Sequence, residues 1–213
     1  MIRKTSSRLI SGIACLALVS CATIDDQAQP KNTPTVEPAG WVAEKEQRQQ
    51  IKSWEIRGRL GVQTQFNGGS LDIIWKQTGE TFTIRLIAPL GAGTYLIQGD
   101  NRYAEIRYPN GKKAIINDID DVFLTALDVD LPVSAVKDWI RGLPAEVFVT
   151  DAISWNEKRL LHRLSQSGWD VEITKYAGEK LQMPHAIYLS RVDDEELDIR
   201  LLLRSWLFDA SNR

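Results

Sequence analysis

Beyond residue 53 the chain alternates apolar and polar residues one by one, the period of a strand with one buried and one wet face. In WEIRGRLGVQ the residues Trp54, Ile56, Gly58, Leu60 and Val62 share one face, and Glu55, Arg57, Arg59 and Gln63 share the other. Leu71, Ile73 and Trp75 repeat the pattern, followed by Phe82, Ile84 and Leu86, by Tyr95 and Ile97, and by Ala104, Ile106 and Tyr108. It returns in GWDVEITKY, in PHAIYLSRV and in EELDIRLLLRSWLF, where Leu197, Ile199, Leu201 and Leu203 line one face. Asn67-Gly68-Gly69, Gln77-Thr78-Gly79, Asn110-Gly111 and Asp193-Asp194 punctuate these runs as hairpin turns do. No helix of 10 to 15 residues recurs between strands, so the sheet is antiparallel.

Three segments break the alternation and read as helices. Trp41 to Trp54 is rich in helix formers, with Val42, Gln49 and Ile51 too sparse for a strong apolar stripe. Asp118 to Val129 opens with acids suited to a helix amino terminus and places Val122, Phe123, Ala126 and Leu127 on one side. PVSAVKDWIRG follows, with Pro132 at its start, Gly142 as its stop, and an apolar face of Val136, Trp139 and Ile140. Two short amphipathic helices are a small cover for so many strands. Either the sheet curls on itself and packs solid, or it curls around a cavity that something apolar fills.

The first forty residues have a different character. Residues 1–20 run from Arg3, Lys4 and Arg8 into LISGIACLALVS, a secretory leader too short to span a bilayer as a mature helix. Its end, Leu18-Val19-Ser20-Cys21, resembles the bacterial lipobox, in which the thiol receives a diacylglyceryl group and a small residue fits the peptidase. Cys21 is therefore the expected lipid attachment site and first mature residue. Residues 21–40 hold three prolines and almost nothing to bury, and read as a flexible tether. Ala22 favours export to the outer membrane under the sorting rule of diderm bacteria. Residues 41–213 form one domain. The other cysteine, Cys15, falls in the leader, so this domain has no disulfide to draw on.

Charge and motifs exclude several classes. Of 26 basic side chains, Arg3, Lys4 and Arg8 leave with the leader, so 23 remain against 28 acidic ones, a balance of minus five. That gives no general attraction to nucleic acid or anionic headgroups. No HExxH, GxSxG or Cys-His arrangement, no metal-ligand cluster and no phosphate loop occurs, so neither an enzyme nor a metal or nucleotide cofactor is expected.

The run WKQTG (75–79), APLG (88–91), WIRGLP (139–144), RLSQSGWDVEITKY (163–176) and RSWLF (204–208), behind a lipobox, resembles the LolB family of outer-membrane lipoprotein receptors. The resemblance covers nearly the whole chain after Cys21. It implies a mainly β protein with helices: a curled antiparallel sheet, or half-barrel, closed by short helices around a hydrophobic cavity. It implies a monomer that is lipid-anchored in the outer membrane and faces the periplasm. Such a receptor takes acylated lipoproteins from the periplasmic carrier LolA and inserts them into outer-membrane lipid. The cavity candidates are Ile56, Leu60, Leu71, Ile73, Trp75, Phe82, Ile84, Leu86, Ile97 and Ile106, any of which plain core packing explains equally well. The membrane-insertion loop is Pro89-Leu90-Gly91. By its residues alone Leu90 is a turn leucine folded back on the core; under the resemblance it projects and helps push cargo into the membrane. Trp139 reads as a core anchor rather than a lid. A passive envelope lipoprotein, an adaptor or lipid-sensing module, would share the lipobox, tether and strands without needing a projecting leucine.

Overall fold

The computed structural model describes residues 36–194 and 196–208; the leader, Cys21 and tether residues 21–35 lie outside the described residues. Helix α1 (Trp41–Gln49) leads into β1 (Ser53–Gln63), β2 (Gly68–Thr78), β3 (Thr81–Ile87), β4 (Thr94–Gly99), β5 (Ala104–Arg107) and β6 (Lys113–Ile116). A one-turn 3-10 segment, Ile119–Asp121, then α2 (Val122–Leu127) and α3 (Val133–Trp139), precede β7 (Thr150–Trp155), β8 (Leu161–Gln166), β9 (Trp169–Ala177), β10 (Met183–Arg191) and β11 (Asp198–Phe208).

All strands among the described residues belong to one antiparallel sheet in the order β6-β5-β4-β3-β2-β1-β11-β10-β9-β8-β7. Every strand lies beside a neighbour in sequence, and the single long-range pairing, β1 with β11, joins two meanders into one surface. The edges β6 and β7 do not pair, so the sheet is open rather than a closed barrel. Their connection carries α2 and α3, and these helices supply the second layer over the sheet's apolar face.

Strand alternation becomes rows of packed side chains on that face. Ile56 pairs with Trp75, Trp75 with Ile84, Ile84 with Ile97 and Ile97 with Ile106, so one row crosses five strands. All five residues are fully buried. A second row runs Leu60, Leu201, Ile187, Ile173 across β1, β11, β10 and β9. Phe123 of α2 meets Trp75 at a ring separation of 6.5 Å, and Trp139 of α3 meets Trp169 at 5.9 Å. Asp120 ties the two helices together by accepting the backbone N–H and the hydroxyl of Ser134, each at 2.7 Å. Where β1 and β11 pair, the register slips at Gly58; a Cβ there would lie 2.4 Å from the Leu202 carbonyl oxygen, which is why this inward position holds glycine.

Helix α1 ends at Gln49, five residues before the Trp54 expected from sequence, and Trp54 begins the alternation of β1. Its inward face is also different: Trp41 and Arg48 are buried, while Val42 is exposed. Arg48 donates to the Arg141 carbonyl at 2.9 Å and the Gln182 carbonyl at 2.6 Å, and its guanidinium lies over the Tyr176 ring at 5.7 Å. Burial lowers its pKa, opposed by Tyr176 and by Glu44. An arginine remains a cation under such shifts.

Gln166 is the polar centre of the second meander. Fully buried, it accepts from Trp139 Nε1 and from the Ala145 N–H, both at 2.9 Å. Its amide nitrogen donates to the Ala145 carbonyl at 3.0 Å, the Phe148 carbonyl at 3.2 Å and Thr150 Oγ1 at 2.9 Å. Every partner of the oxygen is a donor and every partner of the nitrogen an acceptor, so a single amide orientation satisfies the network. Replacing Gln166 with Met keeps the volume but strands the Trp139 indole and the Ala145 amide. The expected loss is about 3 kcal/mol, read as a lower urea midpoint with an unchanged m-value. A loss below about 1 kcal/mol would show that these groups are satisfied some other way.

Candidate functional site

The β3–β4 connection is built to hold one side chain away from the protein. The Ala88 N–H donates to the Gly93 carbonyl at 2.9 Å and closes the loop at its base. Within it Pro89–Gly91 makes a single 3-10 turn, with Pro89 supplying the fixed φ that starts it. Gly93, at φ 121°, sits so close to Pro109 that a Cβ would lie 2.4 Å from the proline Cβ, which seats the loop against the β5–β6 turn. Leu90 is fully solvent-exposed and has φ 56° and ψ 25°, the left-handed region that a leucine enters at a cost of ~1–2 kcal/mol. A leucine folded back onto the core would recover that cost through burial. This one does not.

Antiparallel alternation puts the β1–β2 hairpin, the β3–β4 loop and the β10–β11 turn at one end of the sheet. A hollow of about 590 Å³ opens there, within the range that holds a small apolar ligand. Val62, Phe66, Leu71, Pro89, Leu127 and Val129 give it apolar walls, and Asp128, Asp194 and Glu196 stand around it. Asp128 ends α2 in a left-handed conformation, its N–H donating to the Leu124 carbonyl at 2.9 Å. A depression of about 610 Å³ also marks the outer face of β8–β10, but Arg163, Asp170, Glu172 and Asp198 line it, with Arg163 and Glu172 paired at 3.0 Å. Its chemistry suits water.

The residues proposed from sequence fall into two groups. Leu71 and Pro89 border the hollow, with Leu90 and Gly91 beside them. Ile56, Leu60, Ile73, Trp75, Phe82, Ile84, Leu86, Ile97 and Ile106 are buried deeper, in the continuous core to which Leu71 and Leu127 also pack. Phe66 and Val129 were not singled out by alternation because both lie in connections, where period two carries no information. A large aromatic residue in the hairpin Gln65-Phe66-Asn67-Gly68 was the available signal. Cys21 lies outside the described residues.

Four of the five sequence motifs have structural work that accounts for them. Trp75 of WKQTG donates to Gln77 at 3.2 Å, and Gln77 donates to the Gly79 carbonyl at 2.8 Å. Trp139 of WIRGLP donates to Gln166 of RLSQSGW. Trp206 of RSWLF donates to the Pro184 carbonyl at 2.9 Å and packs on Trp54 at 5.6 Å. Leu90 of APLG has no such contact. Among the described residues no group of three or more His, Cys, Asp and Glu side chains is arranged to hold a metal ion, and no helix is long and apolar enough to cross a membrane.

Comparison with known proteins places the family and the fold. Residues 52–206 match the family model described as "Outer membrane lipoprotein LolB". The chain is 28% identical to the outer-membrane lipoprotein LolB of Halorhodospira halophila, over 97% of this chain and 98% of that one. It is 29% identical to the LolB of Alkalilimnicola ehrlichii, over 93% and 95%. In fold it is similar to a LolA superfamily protein from Nitrosomonas europaea, with TM-score 0.52 and 8% identity over 79% of this chain and 93% of that one. A DUF1329 family protein from Desulfovibrio piger aligns with TM-score 0.55 and 8% identity over 81% and 92%. The chain belongs to the LolB family.

Because Leu90 buries nothing and occupies a conformation that glycine adopts freely, Leu90→Gly is expected to leave stability unchanged or raise it by up to about 1 kcal/mol. Urea denaturation checks this. A loss of more than about 1 kcal/mol would mean that the side chain packs against the domain in solution.

Proposed function

We propose that this LolB-family protein is a receptor, anchored in the outer membrane through Cys21 and facing the periplasm, that accepts acylated lipoproteins from the carrier LolA and inserts them into the membrane. The observation that supports it best is an apolar hollow beside a loop that holds Leu90 fully exposed in a left-handed conformation. An enzyme or a structural adaptor has no need of that combination.

The physical problem is the acyl chain. Burial of each methylene is worth ~0.8 kcal/mol, so a chain of about fifteen holds roughly 12 kcal/mol against exposure to water. Passing the chain from one apolar hollow to another avoids most of that barrier, and relative affinity for cargo sets the direction without nucleotide. The hollow between the β1–β2 hairpin and the end of α2 is the entrance. The row from Ile56 to Ile106 forms the floor that α2, a helix of six residues, covers when no cargo is present. Leu90 then enters the bilayer ahead of the cargo, where an apolar side chain with no partner in its own domain gains burial instead of losing it. The receptor works as a monomer and makes or breaks no covalent bond.

The test separates capture from delivery. The mature protein is mixed with LolA carrying a labelled lipoprotein, the proteins are separated, and vesicles are then added. Wild-type protein is expected to take the cargo and release it to the vesicles. Leu90→Glu is expected to take the cargo equally well and to lose most of the release. Failure of the wild type to take cargo from an active carrier would favour a passive envelope lipoprotein. Unchanged release by Leu90→Glu would return Leu90 to the status of an ordinary turn residue.

A further inference from the structure

We infer that Phe66 is a second membrane-contacting side chain, and that the β1–β2 hairpin and the β3–β4 loop together rest the mouth of the hollow on the uncharged apolar zone of a bilayer. The inference rests on the reading of this protein as a membrane-delivery receptor, but it concerns a residue that the reading does not require.

Three observations carry it. First, Phe66 is 84% exposed at the tip of a hairpin that is otherwise well ordered by its own hydrogen bonds. Thr64 N–H donates to the Asn67 carbonyl at 2.8 Å, the Thr64 hydroxyl donates to the same oxygen at 3.0 Å, and the Asn67 N–H donates to Thr64 Oγ1 at 3.1 Å. The Gln63 amide adds a bond to the Thr64 carbonyl at 2.9 Å. The aromatic ring is thus presented on a pre-organised tip.

Second, the two tips sit side by side in function as well as in topology. Phe66 and Pro89 line the same hollow, and Leu90 follows Pro89. Third, the charge pattern distinguishes a bilayer from other occupants. Residues 63–71, QTQFNGGSL, and residues 86–99, LIAPLGAGTYLIQG, contain no charged side chain. Entering the acyl boundary therefore requires desolvation of no ion at either tip. The charged residues that line the hollow, Asp128, Asp194 and Glu196, are all acidic and lie on the α2 and β10–β11 side, and Glu196 is joined to the hairpin by Gln65 at 3.4 Å. Acids so placed repel anionic headgroups. Contact is accordingly hydrophobic, through Phe66 and Leu90, and independent of anionic lipid.

A single-site fluorescent label tests this in the full acylated protein. Cys15 is removed with the leader and the Cys21 thiol carries the anchor, so a cysteine placed at 66, at 90 or at 101 is the only free thiol. Asn101 is exposed in the β4–β5 turn at the opposite end of the sheet and serves as control. Phe66→Cys, Leu90→Cys and Asn101→Cys, each carrying an environment-sensitive nitrobenzoxadiazole, are reconstituted in phosphatidylcholine vesicles with and without nitroxide-labelled lipid. The expected result is a several-fold rise in emission, with nitroxide quenching, at 66 and 90 but not at 101, unchanged by high salt. Label 90 in lipid with label 66 in water would overturn this inference and leave the delivery loop standing. Label 66 shielded only after loaded LolA is added would assign the tip to the carrier and also overturn it. Both labels in water would overturn the membrane contact at this end altogether.

Discussion

An antiparallel sheet of eleven strands with one continuous apolar face must cover that face or curl until it covers itself. Here the edge strands β6 and β7 do not pair with each other, so the sheet stays open, and residues 117–149 between those two edges supply the cover. Much else follows from this constraint. The helices are short, and aromatic contacts join them to the sheet: Phe123 on Trp75, Trp139 on Trp169. The tryptophans bring apolar area together with one indole N–H each. Trp75, Trp139 and Trp206 have theirs satisfied by Gln77, Gln166 and a backbone carbonyl, which makes these polar partners as necessary as the rings.

In the proposed function, the uneven fastening of the cover links the fold to the entry of cargo. The α3 side is fastened by the Gln166 network, and α1 is fastened to the turn after α3 by Arg48 and Arg141. The α2 side ends at a hollow, with the one-turn segment before it joined to α3 through Asp120 and Ser134. A core with one firmly closed flank and one flank that stops short is suited to admit an apolar guest without unfolding. In the function proposed above, the exposed leucine at the same end is the guest's route into lipid.

Most of the sheet was legible in the sequence because period two survives wherever a strand has one buried face, as in Ile56, Leu60 or Ile84, Leu86. Strands β7 and β8 were not legible, for identifiable reasons. β7 is an edge strand with little burial, and its pairing with β8 slips twice. In β8 the inward residues are Leu161, Leu164 and Gln166: a spacing of three followed by a buried amide, which resembles neither strand alternation nor an apolar face. α1 misled for a similar reason, since one of its two buried side chains is Arg48 and a polarity pattern places arginine in water. Within the candidate site, the loop was legible through Pro89-Leu90-Gly91, whereas the hollow was not. Leu71 and Ile73 alternate alike, and only the three-dimensional end of the sheet shows that one borders the opening and the other is buried in the core.

In the function proposed here the apolar face accepts an acyl chain. The most direct measurement of this is binding of a synthetic triacylated lipopeptide to the purified protein, by native mass spectrometry for stoichiometry and by calorimetry at several temperatures. A one-to-one complex with a negative heat-capacity change, the mark of apolar burial, is expected, and no complex with the same peptide lacking its acyl chains. Equal binding of both peptides, or none of either by a folded protein, would contradict it.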